Sequence, residues 1–344
     1  MKISLCIPQY NRIKFLLFSL SEIARQDYPD IEIVISDDCS SDETQRAIQQ
    51  LIPVYKYPII YHRHEVNLGY DRNLRRSVEL ATGDYVIILG NDDTINPEYD
   101  LHRLVRFLEE NEYPDVGFTN FIDAGSGEIE ERASMTGIMG TGPELAFTNY
   151  SRFSFVGGII YKRSTYNKYN SDKFDGSVYT QIYHSCLIVA SGGILFSIAE
   201  PVVIKDVLPL EQNRASYVDK VNRSWKKFKA VNGGLHAVIR VAVTSFEDAG
   251  VLNQNMTYGI IRKIYASTFP YWVITYRKDK ALPEAVGLVV GMRPAKVREF
   301  SRLSLINKLK INLLYAFTSF SSLVIPVFVF DHLKTRLWKM ANRA

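Results

Sequence analysis

The chain has 344 residues, 47% of them hydrophobic and 23% charged, which excludes a disordered, fibrous or disulfide-stapled protein and leaves room for two domains. Its net charge of +4 is unevenly spread: residues 1–200 carry 18 Lys+Arg against 28 Asp+Glu, and residues 201–344 carry 23 against 9. A basic last third suits an anionic partner such as a membrane surface or phosphates, and no motif beyond charge supports nucleic acid.

Cys6, Cys39 and Cys186 are widely spaced and read as free thiols of a reducing compartment, without metal-ligand spacing. Met1-Lys2 runs into an apolar strand that stops at Pro8, too short for a secretory signal core, so the N-terminus is expected in the cytosol. Ile3 to Ile7 predicts a buried strand, broken by Pro8-Gln9-Tyr10-Asn11-Arg12, with Asn11 able to cap a helix over about 12–26. Ile31 to Ile35 is a second strand, followed by Ser36-Asp37-Asp38-Cys39-Ser40 and a helix to about Leu51. Ile59 to His62 is a third, and Asn67-Leu68-Gly69 leads into a helix over about 70–81.

Next comes Gly83-Asp84-Tyr85-Val86-Ile87-Ile88-Leu89-Gly90-Asn91-Asp92-Asp93, a doubly buried strand that ends on two adjacent carboxylates. Ligands of open α/β sheets bind at such strand ends. Two neighbouring carboxylates repel each other and call for a cation. A turn that caps the following helix is the plainer reading. A helix over about 97–111 and a strand over about 116–121 follow. Short alternation of strand and helix predicts a parallel sheet with helices on both faces.

Residues 123–143, rich in Gly, Ser, Glu and Thr, read as a flexible loop and a candidate lid. Phe155 to Tyr161 is strand-like, Phe174-Asp175-Gly176-Ser177 opens a helix to about Ala190, and Ile194–Ile198 and Val202–Ile204 suggest two more strands. Beyond Leu210 the chain turns basic and helical over 217–247 and 256–276. Ile311 to Phe330 then runs without a charge between Lys308, Lys310 and Lys334, Arg336. Its Asn, Ser, Thr and Pro content argues for a helix in the membrane interface, or a buried helix pair, over a spanning one. The expected division is 1–210, 211–300 and 301–344.

Four stretches together resemble a family 2 glycosyltransferase of the GT-A fold: Ile7-Pro8-Gln9-Tyr10-Asn11-Arg12, Ile35 to Thr44, Asn67-Leu68-Gly69 with Arg72-Asn73, and Gly83-Asp84-Tyr85 leading to Asn91-Asp92-Asp93. More narrowly, Asp175-Gly176-Ser177, Tyr179, His184 and Asn213-Arg214-Ala215-Ser216 are similar to abequosyltransferase-like enzymes of bacterial surface-polysaccharide synthesis. The resemblance implies a Rossmann-like, mostly parallel sheet with a helical C-terminal region, and a nucleotide-diphosphate sugar donor. Pro8 and Tyr10 would line the nucleobase pocket, Asp37 would accept a hydrogen bond from the base, and Arg12, Asn67, Gly69, Arg72 and Arg214 would complete the donor and phosphate contacts. Asp92, with Asp93, would hold Mg²⁺ or Mn²⁺. The basic helical C-terminal region and the charge-free segment suggest a lipid-linked saccharide acceptor at the inner face of the cell membrane, with peripheral contact through 301–344.

Two departures bear on mechanism. Gly90 stands where relatives often carry Asp, which leaves open which carboxylate leads and whether metal is needed. Thr180-Gln181 stands where inverting members place a Glu-Asp pair, so a base must come from elsewhere. His184, one turn further on, and Asp175 are the candidates. A structural histidine, an N-cap aspartate and a retaining reaction are the alternatives. A catalytically silent sugar-nucleotide binder is the competing function; a nucleotidyltransferase ranks last, for want of a Gly-rich phosphate loop.

Overall fold

A computed structural model describes residues 1–207 and 234–329. The chain divides into two compact units, Met1–Asn213 and Arg214–Ala344.

In the first unit, runs of Ile, Val and Leu form buried strands, because branched side chains pack well on a pleated surface covered on both faces. The elements are β1 (Ile3–Gln9), α1 (Ile13–Ile23), β2 (Ile31–Asp37), α2 (Thr44–Leu51), β3 (Ile59–Arg63), α3 (Tyr70–Leu80), β4 (Tyr85–Ile88), β5 (Thr94–Ile95), α4 (Leu101–Glu110) and β6 (Val116–Asp123). There follow β7 (Ile129–Glu130), β8 (Gly137–Gly140), α5 (Pro143–Asn149), β9 (Ile159–Lys162), α6 (Arg163–Tyr169), α7 (Thr180–Ala190) and β10 (Leu195–Lys205). One sheet takes the order β3-β2-β1-β4-β9-β6-β10-β5, with β7 beside β6 and β8 beside β10. β1 pairs in parallel with β2 and β4, β2 with β3, and β6 with β10, while β9 runs antiparallel between β4 and β6. The carboxyl ends of β1, β2 and β4 therefore share one rim.

Three expectations change. β10 is one strand with bulges around Pro201, not two short ones, since pairing with β6 resumes after the bulge. Residues 123–143 hold β7, β8 and the buried Arg132 and Ala133, which anchor the segment and remove the ground for a free lid. The helix expected from Asp175 starts at Thr180, because Gly176 and Val178 take positive φ values of 90° and 69°.

Glu32 ties the bottom of the sheet together. Its side chain is 1% exposed and accepts hydrogen bonds from Ser4 Oγ, Thr82 N and Thr82 Oγ1, with Lys2 Nζ at 2.6 Å. Burial would raise its pKa, but these donors, led by Lys2 and Ser4, outweigh burial and bring it down to about 2. A carboxylate whose folded value lies below its unfolded one stabilises fully above the unfolded value, and that contribution fades as pH falls towards the folded value. Glu32→Gln should therefore cost about 2–3 kcal/mol near neutrality, and urea melts should show the gap to wild type closing between about pH 4.5 and 2. A gap that stays constant over that range would assign the loss to packing.

The second unit contains α8 (Leu235–Asp248), α9 (Gln254–Lys263), a π-helical turn (Ile264–Thr268), α10 (Phe269–Lys278), α11 (Leu282–Gly291) and α12 (Leu305–Val324). Among the described residues no helix is long and apolar enough to cross a membrane. Residues 208–233 and 330–344, which include part of the basic helical stretch expected over 217–247 and the end of the charge-free segment, lie outside the described residues.

Candidate active site

The strand-end turns of the first unit are stitched to one another. Leaving β1, the chain places Asn11 and Arg12 at φ 53° and 61°, an uncommon conformation for residues with a Cβ. Neighbours hold it there: Asn11 N donates to Ser40 Oγ (2.8 Å), Ser41 N donates to Asn11 Oδ1 (2.9 Å), and Ile13 N donates to Asp42 Oδ2 (3.0 Å). Asn11 is thus not the cap of α1; Asp42 from the next turn supplies it. Asn73 Nδ2 of α3 donates to Gln9 O (3.0 Å), and so joins the third turn to the first.

At the end of β2, Asp37 has no solvent exposure. Its Oδ1 accepts from Ser40 N (2.9 Å) and its Oδ2 from Tyr61 OH (2.6 Å). Burial and then Asp37 itself push the Tyr61 hydroxyl far above its ordinary pKa, so it remains a donor. Asp37 therefore sits at the expected rim, with its oxygens already engaged. Arg63, absent from the sequence-derived set, stands beside it: Nε lies 3.9 Å from Asp37 Oδ2 without a hydrogen-bond partner, and Nη2 donates to Ser40 O (3.1 Å). Tyr10 is 48% exposed, whereas Pro8 is buried within β1 opposite Ser36 and presents no free face.

Asp38 is buried and shapes the entry to α3. Its carboxylate accepts from Leu68 N (2.6 Å) and Gly69 N (2.9 Å), and Asn67 Oδ1 also accepts from Gly69 N (3.1 Å). Gly69 takes φ 89°, which explains the glycine. Arg72 does not point to the β4 turn: its Nη1 donates to Glu79 Oε1 (2.9 Å) on the flank of α3.

The Asp92-Asp93 turn separates two carboxylates that look equivalent in sequence. Asp92 is partly exposed, and its Oδ2 lies 2.9 Å from Arg12 Nη2, while Arg12 Nη1 donates to Asn91 Oδ1 (3.3 Å). Asp93 is 3% exposed and turns inward, accepting from Gly90 N (3.0 Å) and Asp206 N (3.2 Å). A Cβ added at Gly90 or at Gly157 would fall 2.7 Å from Asp93 Oδ2, so these glycines make room for that carboxylate. This gives a physical reason for Gly90: an Asp there would collide with the inward-turned Asp93. Burial, then Asp92, raise the Asp93 pKa. As an open metal ligand Asp93 is corrected, because its oxygens face the protein.

A different residue comes in instead. Val207 N donates to Asp92 O (2.6 Å), and Asp206 at φ 55° brings a carboxyl whose pKa is raised by burial and then by Asp92. Asp206 is near enough to feel the charge of Asp92, and both bring hard oxygens of the kind Mg²⁺ or Mn²⁺ takes. Asp27, Asp100 and His102 also gather, but in the open, with Asp100 acting as the cap of α4.

α3 presents Asp71, Arg75 and Glu79 one turn apart to the segment before α7. Asp71 accepts from Val178 N (2.7 Å) and Thr180 N (3.1 Å), and so caps α7 from another helix. Arg75 grips Asp175 through Nε (2.9 Å) and Nη2 (2.8 Å), and reaches Asn170 Oδ1 (3.1 Å). Arg72, Arg75, Asn170, Ser171, Asp172 and Asp175 line an open polar cavity of about 550 Å³. Asp175 is therefore neither the cap of α7 nor a free base, because a bidentate guanidinium holds it. Thr180 and Gln181 are buried, and Thr180 Oγ1 and Gln181 Oε1 make no hydrogen bond among the described residues.

His184 is corrected as well. It has no exposure, its Nε2 accepts from Ser171 N (3.2 Å), and its ring lies 5.0 Å from Tyr166 and 5.4 Å from Tyr183. Burial, then Arg75, pull its pKa down to about 3. A neutral ring sealed in the core cannot reach an acceptor hydroxyl. Arg214 lies outside the described residues.

The family model described as "Glycosyl transferase family 2" matches residues 4–181. The abequosyltransferase RfbV of Salmonella typhimurium is 34% identical over 223 residues, 59% of this chain and 66% of that protein, so the match spans just under two thirds of the relative. Staphylococcus aureus TarS 1–349, solved in complex with UDP-GlcNAc, superposes with a TM-score of 0.63 at 17% identity, over 93% of this chain and 91% of that one. The mannosyltransferase PcManGT of Pyrobaculum calidifontis, in complex with GDP-Man and Mn²⁺, gives a TM-score of 0.50 at 16% identity, over 99% and 86%. At such identities the structural likeness speaks for the fold. Taken with the family match over half of the sequence, it makes the chain a glycosyltransferase of the GT-A fold, and a member of glycosyl transferase family 2.

Proposed function

We propose that this enzyme moves a sugar from a nucleotide-diphosphate donor to a hydroxyl of a lipid-linked saccharide, at the inner face of the cell membrane, during surface-polysaccharide synthesis. The observation that carries the donor half is the stitching of the rim: Asn11 to Ser40, Asn73 to Gln9, Asp38 to Gly69 and Arg12 to Asp92 are direct contacts. One ligand can therefore meet all four turns. The UDP-GlcNAc and GDP-Man complexes of the structural neighbours support a nucleotide sugar, and the RfbV match supports the likeness to abequosyltransferases from which the polysaccharide setting is drawn.

On this reading the exposed ring of Tyr10 stacks on the base, while the buried Asp37, held by Ser40 and Tyr61 and facing Arg63, fixes the floor of that pocket. Asp92 and Asp206 would hold the divalent ion, which when bound stabilises charge on the departing diphosphate. Arg12 supplies a further cation at the same place. With Asp175 and His184 unavailable as bases, the chain's contribution to rate is chiefly the alignment of two substrates.

Calorimetry with UDP-, CDP-, GDP- and dTDP-sugars tests this. One nucleotide should bind, with at least about a tenfold gain on adding Mn²⁺, equivalent to about 1.4 kcal/mol. Heat-silent titrations across the whole panel, with and without the ion, would reject the donor assignment.

A further inference from the structure

The last described helix is built inside out for a water-soluble surface. α12 turns Thr318, Ser319 and Ser322 inward, and these are buried together with Ile311. Outward it shows Ile306 (68% exposed), Leu309 (61%), Leu313 (63%), Phe317 (70%), Phe320 (69%) and Val324 (59%). Their spacing of three and four residues draws one continuous stripe along the helix. The orientation is fixed from within the second unit: Arg277 Nη1 donates to Ser322 O (2.6 Å) and Ile325 O (2.7 Å), and Tyr315 OH donates to Val289 O (2.8 Å). α11 leaves Leu282, Val286 and Val290 exposed, again one per turn. An apolar area of this extent is far more than scattered surface leucines account for, and marks a binding face.

Charge selects the occupant. α12 carries Lys308 and Lys310 and no acidic residue, and residues 214–344 carry 22 Lys+Arg against 7 Asp+Glu, a net charge of +15. A second copy would set two strongly cationic units against each other, whereas an anionic lipid surface gains from both the stripe and the charge. We infer that the outward face of α12 lies in the interface of a bilayer rich in acidic phospholipid, with the stripe among the acyl chains and the lysines at the headgroups. The inference rests on the membrane-face reading above for its setting, and on the surface itself for its residues.

The test uses the full chain and vesicles of phosphatidylcholine with or without phosphatidylglycerol. Wild type should co-sediment at least about tenfold better with the acidic vesicles, and less so as salt rises. Replacing Leu313, Phe317 and Phe320 together by Glu should remove that gain while the melting temperature and donor calorimetry stay unchanged, since the three side chains stand in solvent. Equal pelleting of variant and wild type would overturn the inference. So would a wild-type dimer in light scattering that the variant dissolves while neither protein prefers acidic vesicles. Loss of donor binding in wild type would count against the sugar-transferase reading and leave the vesicle result standing.

Discussion

Asp92→Asn is expected to slow turnover by about 10³-fold, abolish the Mn²⁺-dependent gain in donor affinity, and leave the melting temperature within a degree or so of wild type. Asn keeps the shape of the side chain and can still accept from Arg12, so the turn should persist; what disappears is the negative charge. Asp93 cannot take over, because its carboxylate is enclosed between Gly90 and Gly157 and bonded to two amides. Asp206 remains, which is why a residual rate is expected instead of none. The matched variant Asp93→Asn should change turnover by less than about tenfold, since it alters a group turned away from the rim. Initial rates with the donor identified by calorimetry, and titrations with and without Mn²⁺, check both. Equal losses in the two variants would show that the pair acts as one unit and that the inward orientation of Asp93 is not kept in solution.

The strands were legible because their cores are unbroken runs of β-branched residues, and their ends because Pro, Gly and Asp punctuate them. The rim followed, since ligand residues in such sheets cluster at strand ends. Other features depended on information that local pattern does not hold. His184 looked accessible from helical spacing, yet every residue of α7 is buried, so the helix has no outer face for periodicity to reveal. Asp206 follows Ile204-Lys205 without a motif, and reaches Asp92 because β10 pairs antiparallel with β5, the strand that directly follows Asp92-Asp93. Arg63 ends an ordinary strand, and its relation to Asp37 depends on the β2–β3 register, which pairs the two residues directly. Asp92 and Asp93 differ through a collision that a side chain at Gly90 or Gly157 would cause, two positions far apart in the chain.

Arg132→Met should destabilise the first unit by about 3–5 kcal/mol, the largest stability loss expected from any single change here. Composition placed this residue in a loose loop. The structure buries it to 9% exposure, between the rings of Phe121 (5.1 Å) and Phe155 (5.5 Å). Its Nε donates to Thr119 O (2.8 Å), Nη1 to Arg152 O (3.2 Å) and Phe155 O (2.8 Å), and Nη2 to Gly157 O (2.7 Å). Met fills much of the space but satisfies none of these four carbonyls, each costing about 1–3 kcal/mol if left unpaired in the interior. The opposing effect is desolvation: burial draws the guanidinium pKa down to about 9, with nearby Asp93 resisting, so removing the charge returns part of the loss. Because the folded value lies below the ordinary one, the unfolded chain holds this proton more tightly, and burial counts against the fold throughout the neutral range. Arg132→Lys should fall between the two, since one ammonium cannot span carbonyls contributed by both β6 and the 152–157 turn. Urea titrations decide the size, and a loss below about 1 kcal/mol would mean that other donors reach the four carbonyls. The same variant should also weaken donor-dependent turnover, because Gly157, which Arg132 holds, is the wall that keeps Asp93 turned inward and Asp92 facing the rim.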